Sequence, residues 1–322
     1  MDNQAEEIRI GGLAARRGEK RSGMYRVSGV DFEMPVTIVN GARPGKRVLI
    51  TAGIHACEYV GIQAAIELAA ELCPEELAGC VVLVHPVNTS GFRARVPAIV
   101  PEAGENLNRL FPGDMESGFA GRIAYALTYE FQDPADFYLD LHGGDMSEEL
   151  EPFVFYPGVA ESVVVEESRR IAGFLNLRYA LKSGAVSGAY NSAAKRGTPS
   201  LLIERGGRGL WSAEEVALYK DDVFSALFGL GVYPRNPNER APHSPVDVCD
   251  PVYLAAECEG CWYPRVRAGD AVTKGAILGE IRDFFGEPLA THRAEIDGVV
   301  LYRATSLAIA KGTELVAYAK TS

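Results

Sequence analysis

The chain is poor in positive charge. Its 32 lysines and arginines stand against 43 aspartates and glutamates, a formal net charge of -11. That excludes a general nucleic-acid or anionic-membrane partner, because phosphates need a basic surface. An acidic ligand would need a local arginine cluster set against the global field. No hydrophobic run approaches the ~20 residues that span a bilayer. The opening segment MDNQAEEIRIGG is polar and acidic and lacks the apolar stretch of a secretory leader. We therefore expect a cytoplasmic protein. Cysteine is sparse: Cys57, Cys73, Cys80, Cys249, Cys258 and Cys261 are scattered over 322 residues. In that compartment they read as thiols rather than a disulfide frame. No long repeat and no low-complexity segment interrupts the chain. Histidine is also scarce, with five in all.

What is present is ordinary for a globular protein: 47% apolar and 23% charged residues. The length predicts one large domain plus a small one, or two comparable ones. Apolar runs predict buried strands over 47–53, 81–87, 136–141, 154–156 and 200–203. Helical periodicity covers 58–72, with Ile62, Ala65, Ile66 and Ala69 on one face, and recurs over 117–131, 161–175 and 212–227. Ser212 with Glu215 three residues on reads as a helix cap. Strands alternating with helices predict an α/β domain with a mostly parallel sheet. Residues 233–246, rich in proline and polar groups, read as a linker. Beyond them short apolar runs alternate with glycine turns, which predicts a small all-β domain. The boundaries drawn are 1–235 and 236–322.

Ligands of such sheets bind at the carboxyl ends of strands. Three reactive segments stand at predicted strand ends here: His55 after Gly53-Ile54, His142 after Leu141, and Glu204 after Ile203. His55 and Glu58, three apart at a helix start, share one side of its first turn. With His142 they form a two-histidine, one-carboxylate set. Such a set holds zinc at three corners of a tetrahedron and leaves the fourth for water. An isolated H-x-x-E is common, and a lone histidine after a strand is more often structural. Two of five histidines at separate strand ends tip the balance. His85, inside a predicted strand, is read as structural, and neither His243 nor His292 is favoured. Glu204, ending an apolar strand, is costly to bury unless it faces a cavity. It is either a general base or the partner of Arg205 or Arg208.

Four motifs occur in order: GIHACEYVG at 53–61, NLNRLFPG at 106–113, DLHGG at 140–144 and ERGG at 204–207. Together they resemble the succinylglutamate desuccinylase/aspartoacylase family, within the wider zinc carboxypeptidase superfamily. The resemblance runs from about residue 45 to the C-terminus. It implies a zinc-carboxypeptidase-like mixed sheet flanked by helices, plus a C-terminal barrel-sandwich β domain set against the catalytic mouth. It implies one zinc ion on His55, Glu58 and His142, and Glu204 as base and proton shuttle. It implies Asn108 and Arg109 as the carboxylate grip, in keeping with the paired donors of a planar guanidinium. An upstream arginine, Arg95 in preference to Arg93, is expected at the oxyanion, and Tyr190 at the substrate. Where aspartoacylases place a further arginine this chain has Ala194, Lys195 and Arg196, a departure from aspartoacylase specificity. Cys57, beside the metal, is read as a neutral neighbour.

The segment 267–281 also resembles biotinyl and lipoyl carrier domains. The turn Asp283-Phe284-Phe285-Gly286 holds no lysine, so no swinging arm is expected. Cys258 and Cys261 are read as plain thiols. The implied reaction is metal-assisted hydrolysis of a small N-acyl amino acid. The alternatives are a metallocarboxypeptidase acting on short peptides and a non-catalytic metal-binding protein. The partner expected is the small substrate, with no nucleic acid and no membrane, and with room for a homo-oligomer.

Overall fold

The computed structural model describes residues 7–237 and 245–321. Its frame is a mixed sheet of 13 strands. Across the sheet the order is Glu148–Leu150, Gly298–Ala304, Glu314–Thr321, Val246–Ala255, Tyr179–Ser183, Phe153–Pro157, Ser200–Glu204, Phe137–His142, Arg43–Ala52, Ala78–Val84, Glu33–Asn40 and Lys20–Arg26, with Ala271–Val272 paired to Gly298–Ala304. Helix α1 spans Tyr59–Glu71, α2 Thr89–Ala94, α3 Phe119–Ala126, α4 Ser162–Ala172, α5 Ala189–Lys195 and α6 Ala213–Gly229.

Parallel pairing is concentrated at the centre. Phe137–His142 lies parallel to both Arg43–Ala52 and Ser200–Glu204. These strands alternate between two cores. Val48, Ile50, Leu139, Leu141, Leu201 and Ile203 point into one, while Leu49, Tyr138 and Leu202 point into the other. A strand covered on both faces reads as a continuous apolar run. Burying each such side chain stabilises by roughly 1.5–3 kcal/mol. The flanks are antiparallel, with Lys20–Arg26 and Glu33–Asn40 forming one edge.

Helix α1 buries Val60, Gly61, Ile62, Ala64, Ala65, Leu68 and Ala69. The expected stripe is thus corrected at Ile66, which is 40% exposed. At 100° per residue the buried arc centres on Gly61, Ala65 and Leu68, leaving Ile66 at its rim. Gly61 lets α1 approach closely: a Cβ there would stand 3.2 Å from Leu141 Cβ and 3.3 Å from Tyr219 Cε1. Helix α3 continues into a wider π-helical stretch, Leu127–Gln132. Helix α6 begins as expected, Ser212 Oγ accepting from Glu215 N at 3.2 Å.

Within the expected linker, residues 238–244 lie outside the described residues, and with them His243. Beyond, Val246–Ala255 pairs parallel with Tyr179–Ser183, so C-terminal strands extend the central sheet. A separate antiparallel sheet of Pro288–Arg293, Ile277–Arg282, Gly260–Pro264 and Ala308–Ile309 packs on a third core around Trp262, Leu278 and Ile281.

Candidate active site

Parallel order puts three strand ends on one rim. Ala52 is in register with Leu141, and His142 with Glu204. After Ala52, Gly53 takes φ +73°, a conformation glycine adopts without a Cβ penalty, and turns the chain toward α1. His55 and Glu58 follow at its start.

The two imidazoles present the same nitrogen to one carboxylate. His55 Nδ1 lies 2.8 Å from Glu58 Oε1, and His142 Nδ1 lies 3.0 Å from Glu58 Oε2. One donor atom from each of the three residues falls within 4.8 Å of the others. The remaining nitrogens meet supporting oxygens. His55 Nε2 is 3.3 Å from Asn106 Oδ1. His142 Nε2 is 3.2 Å from Asp140 Oδ2, close but poorly aligned for a hydrogen bond. Thr51 Oγ1 donates to Asp140 Oδ1 at 2.8 Å, which leaves Tyr138 as the donor to Thr51 at 2.6 Å. Oxygens behind ligating histidines are the usual means of fixing their ring orientation. Asn106 and Asp140 were not singled out from sequence, although a buried acid two residues before a strand-end histidine was a usable signal.

The charge balance fits a cation. Burial opposes ionisation of both partners, yet Glu58 is held below the usual carboxylate range by His142 and His55. His142 is held well above the usual imidazole range by Asp140 and Glu58. One buried carboxylate with two imidazoles forms a donor set suited to a divalent ion such as zinc. Glu204 lines the same cleft, and its Oε2 is buried without a hydrogen-bond partner. Burial, then the charge of Glu58, raises its proton affinity well above the ordinary. Arg205, one alternative partner, is instead bonded to Asp222, at 3.1 and 2.7 Å.

Asn108 and Arg109 line this cleft, as does Tyr190. Asn108 Oδ1 accepts from Ala189 N at 2.8 Å, tying this segment to the start of α5. No ion pair among the described residues engages Arg109. Arg95 and Arg93 are not brought to the site. Both are exposed at the end of α2, where Arg95 takes φ +57°, and neither lines the cleft. The C-terminal strands add two lining residues that sequence reasoning missed, Tyr253 and Tyr302. Cys57 is buried, and burial raises its thiol, leaving it neutral. His85 bonds to Thr37 at 3.2 Å, and His292 packs on Trp262 at the C-terminal core. No disulfide joins the six cysteines, and no metal-capable cluster among the described residues includes Cys258 or Cys261. No described helix is long and apolar enough to cross a membrane.

A model of the succinylglutamate desuccinylase/aspartoacylase catalytic domain matches residues 44–227, more than half of the chain. The chain belongs to this family. A curated relative is 28% identical over 302 residues, covering 89% of this chain and 85% of its own length. It is the N-alpha-acetyl-L-2,4-diaminobutyric acid deacetylase of Halomonas elongata. A succinylglutamate desuccinylase/aspartoacylase from Rhodobacter sphaeroides superposes with TM-score 0.83 at 25% identity, over 94% of this chain and 95% of that one. The product-bound ectoine utilization protein EutE (DoeB) of Ruegeria pomeroyi has the same fold, with TM-score 0.85 at 23% identity over the whole of both chains. The family is of the deacylase type acting on N-acyl amino acids, which makes this chain an amide-hydrolysing enzyme.

Proposed function

We propose that the protein is a zinc-dependent deacylase that hydrolyses the amide bond of a small N-acyl amino acid. One observation carries the reading. Two histidines and a carboxylate converge on a strand rim, with the unpartnered Glu204 carboxyl in the same cleft. His55, Glu58 and His142 would hold the ion. Bound there, it would supply a Lewis acid that polarises the scissile carbonyl and acidifies water. Glu204 takes the proton of the attacking water and returns it to the leaving amine. Asn108 and Arg109 anchor the substrate carboxylate, and Tyr190 borders it. Arg95 can serve the oxyanion only if its side chain swings inward; unchanged kcat in Arg95→Ala would remove it from the mechanism.

The cleft volume of about 280 Å3, walled by Tyr253 and Tyr302, supports a small substrate over a peptide. The Halomonas relative supports an acetyl group as the acyl part. We read 1–235 as the catalytic unit and 236–322 as the β unit that walls its mouth, acting in the cytoplasm. The test is Glu204→Gln. Metal content should stay at the wild-type level while kcat on N-acetyl amino acids falls about 10²–10⁴-fold. Near-normal turnover in that variant would refute the assignment.

A further inference from the structure

One buried acceptor of the cleft wall has no donor. Asn191 lies on α5 and is 3% exposed, yet it lines the cleft. Its amide nitrogen is spent within the wall: Nδ2 donates to Ser187 O at 3.2 Å and to Ser183 Oγ at 3.5 Å. The bond to a carbonyl oxygen fixes which end of the side chain is the nitrogen. The other end, Oδ1, is buried and has no hydrogen-bond partner among the described residues. Buried acceptors are nearly always paired, and an unpaired one is costly, so Oδ1 calls for a donor brought by the ligand.

The fold sets where that donor stands. Gly188, at φ +94°, turns the chain into α5, and Asn108 Oδ1 holds Ala189 N just beyond it. Asn191 follows two residues on, so it belongs to the wall next to Asn108 and Arg109. The side chain of a substrate anchored there by its α-carboxylate falls against this wall. The wall's chemistry narrows the donor. An acidic side chain brings none, and it would share Arg109, the one guanidinium that lines the cleft. Arg196 is bonded instead to Asp133 and Gln132. An ammonium would donate, but Oδ1 gives it a dipole and no countercharge. The lining carboxyls do not supply one. Glu58 faces two imidazoles, and burial raises both Glu204 and Glu148, the latter to about 8. A neutral N–H meets the acceptor without burying a charge. On a carboxamide it comes with a carbonyl, for which the Tyr190 hydroxyl on the same wall is a donor; burial keeps that hydroxyl protonated.

We propose that Asn191 is a specificity residue whose Oδ1 accepts from a carboxamide side chain, so that the preferred substrates are N-acyl amino acids of the asparagine or glutamine type. This rests on the deacylase reading above and adds to it the side-chain class of the amine half. Asn191 touches the substrate side chain; it moves no proton of the reaction and does not meet the reacting carbon.

The test uses the full chain loaded with zinc and N-acetyl amino acids matched in size. Asparagine is set against leucine and aspartate, glutamine against methionine and glutamate, and 2,4-diaminobutyrate is the cationic rival. Wild type should favour a carboxamide over its apolar match about tenfold in kcat/KM, through KM, as one hydrogen bond to a buried acceptor requires. Asn191→Leu should bring that ratio to within about twofold of unity. Asn191→Asp keeps an acceptor and adds a countercharge, so it should move the preference to the diamino substrate. Wild-type preference for an apolar, acidic or cationic side chain, or a ratio that neither variant changes, would overturn the proposal. Absence of turnover on every N-acyl amino acid would sink the deacylase reading instead. Thermal shift with free asparagine, glutamine, leucine and aspartate then judges Asn191 alone. A rise in Tm given only by the carboxamides, and lost in Asn191→Leu, sustains the assignment; equal shifts, or none, overturn it.

Discussion

The ion pair behind Glu204 sets a stability cost that can be worked from geometry. Arg205 donates through Nε and Nη2 to Asp222 Oδ2, and Asn176 N donates to Asp222 Oδ1 at 2.9 Å. The side chains are 7% and 0% exposed. Burial, rather than contact distance, decides the magnitude: an exposed pair of the same length is worth about 0–1 kcal/mol. Losing one partner of a buried pair costs about 3–5 kcal/mol, because the other charge is left uncompensated. Asp222→Asn keeps the shape and an acceptor for Asn176, so its loss should sit near 3 kcal/mol. The desolvation cost is visible in Asp222 itself, whose carboxyl is raised by burial against the pull of Arg205. Removing both charges should therefore be far cheaper than removing one. Arg205→Met with Asp222→Leu should recover to within about 1 kcal/mol of wild type. Urea unfolding of wild type, the single variants and the double variant closes the cycle. A single Asp222→Asn loss below about 1 kcal/mol would refute the claim that this charge is buried and needed.

The oxygens behind the ligands make a second prediction. Asp140→Asn should weaken zinc affinity about 10–100-fold, read by competition with a chromophoric chelator; unchanged affinity would deny Asp140 a part in orienting His142. A third concerns pH. The bidentate hydrogen bonds of Arg170, with help from Lys46, hold Glu167 down at about 2 against its ordinary 4.5. A depressed carboxyl adds stability above its unfolded pKa and loses it as pH falls toward the folded one. The pair is partly exposed, so Glu167→Gln should cost only about 0.5–1 kcal/mol at pH 7. That gap should close between 4.5 and about 2, as thermal melts across the range would reveal.

The centre of this molecule was legible because parallel buried strands leave long apolar runs and end at a shared rim. His55, His142 and Glu204 could be placed there from sequence for that reason. Glu58 was legible because three residues separate it from His55 at a helix start. Arg95 stands exposed in a left-handed conformation at the end of α2, outside the cleft lining, and spacing does not encode that turn. Tyr302 and Glu148 come to the wall through a pairing between strands about 150 residues apart in the chain, and Tyr253 through one between strands about 60 apart. Such registers leave no local periodicity to read. Ile66 shows the same limit on a smaller scale, where the direction of the packing partner decides which flank of a helical stripe is covered.

The strand Val246–Ala255 closes one side of Tyr179–Ser183 through main-chain hydrogen bonds, with Val248 among the apolar contacts that bridge the two regions. A shortened version ending before residue 245 would bare a row of amide and carbonyl groups beside Phe153, Tyr179 and Leu181. Exposed strands of this kind recruit other chains. Expression of the N-terminal part alone should thus yield sticky, self-associating material, and engineering of the enzyme is better begun from the intact polypeptide.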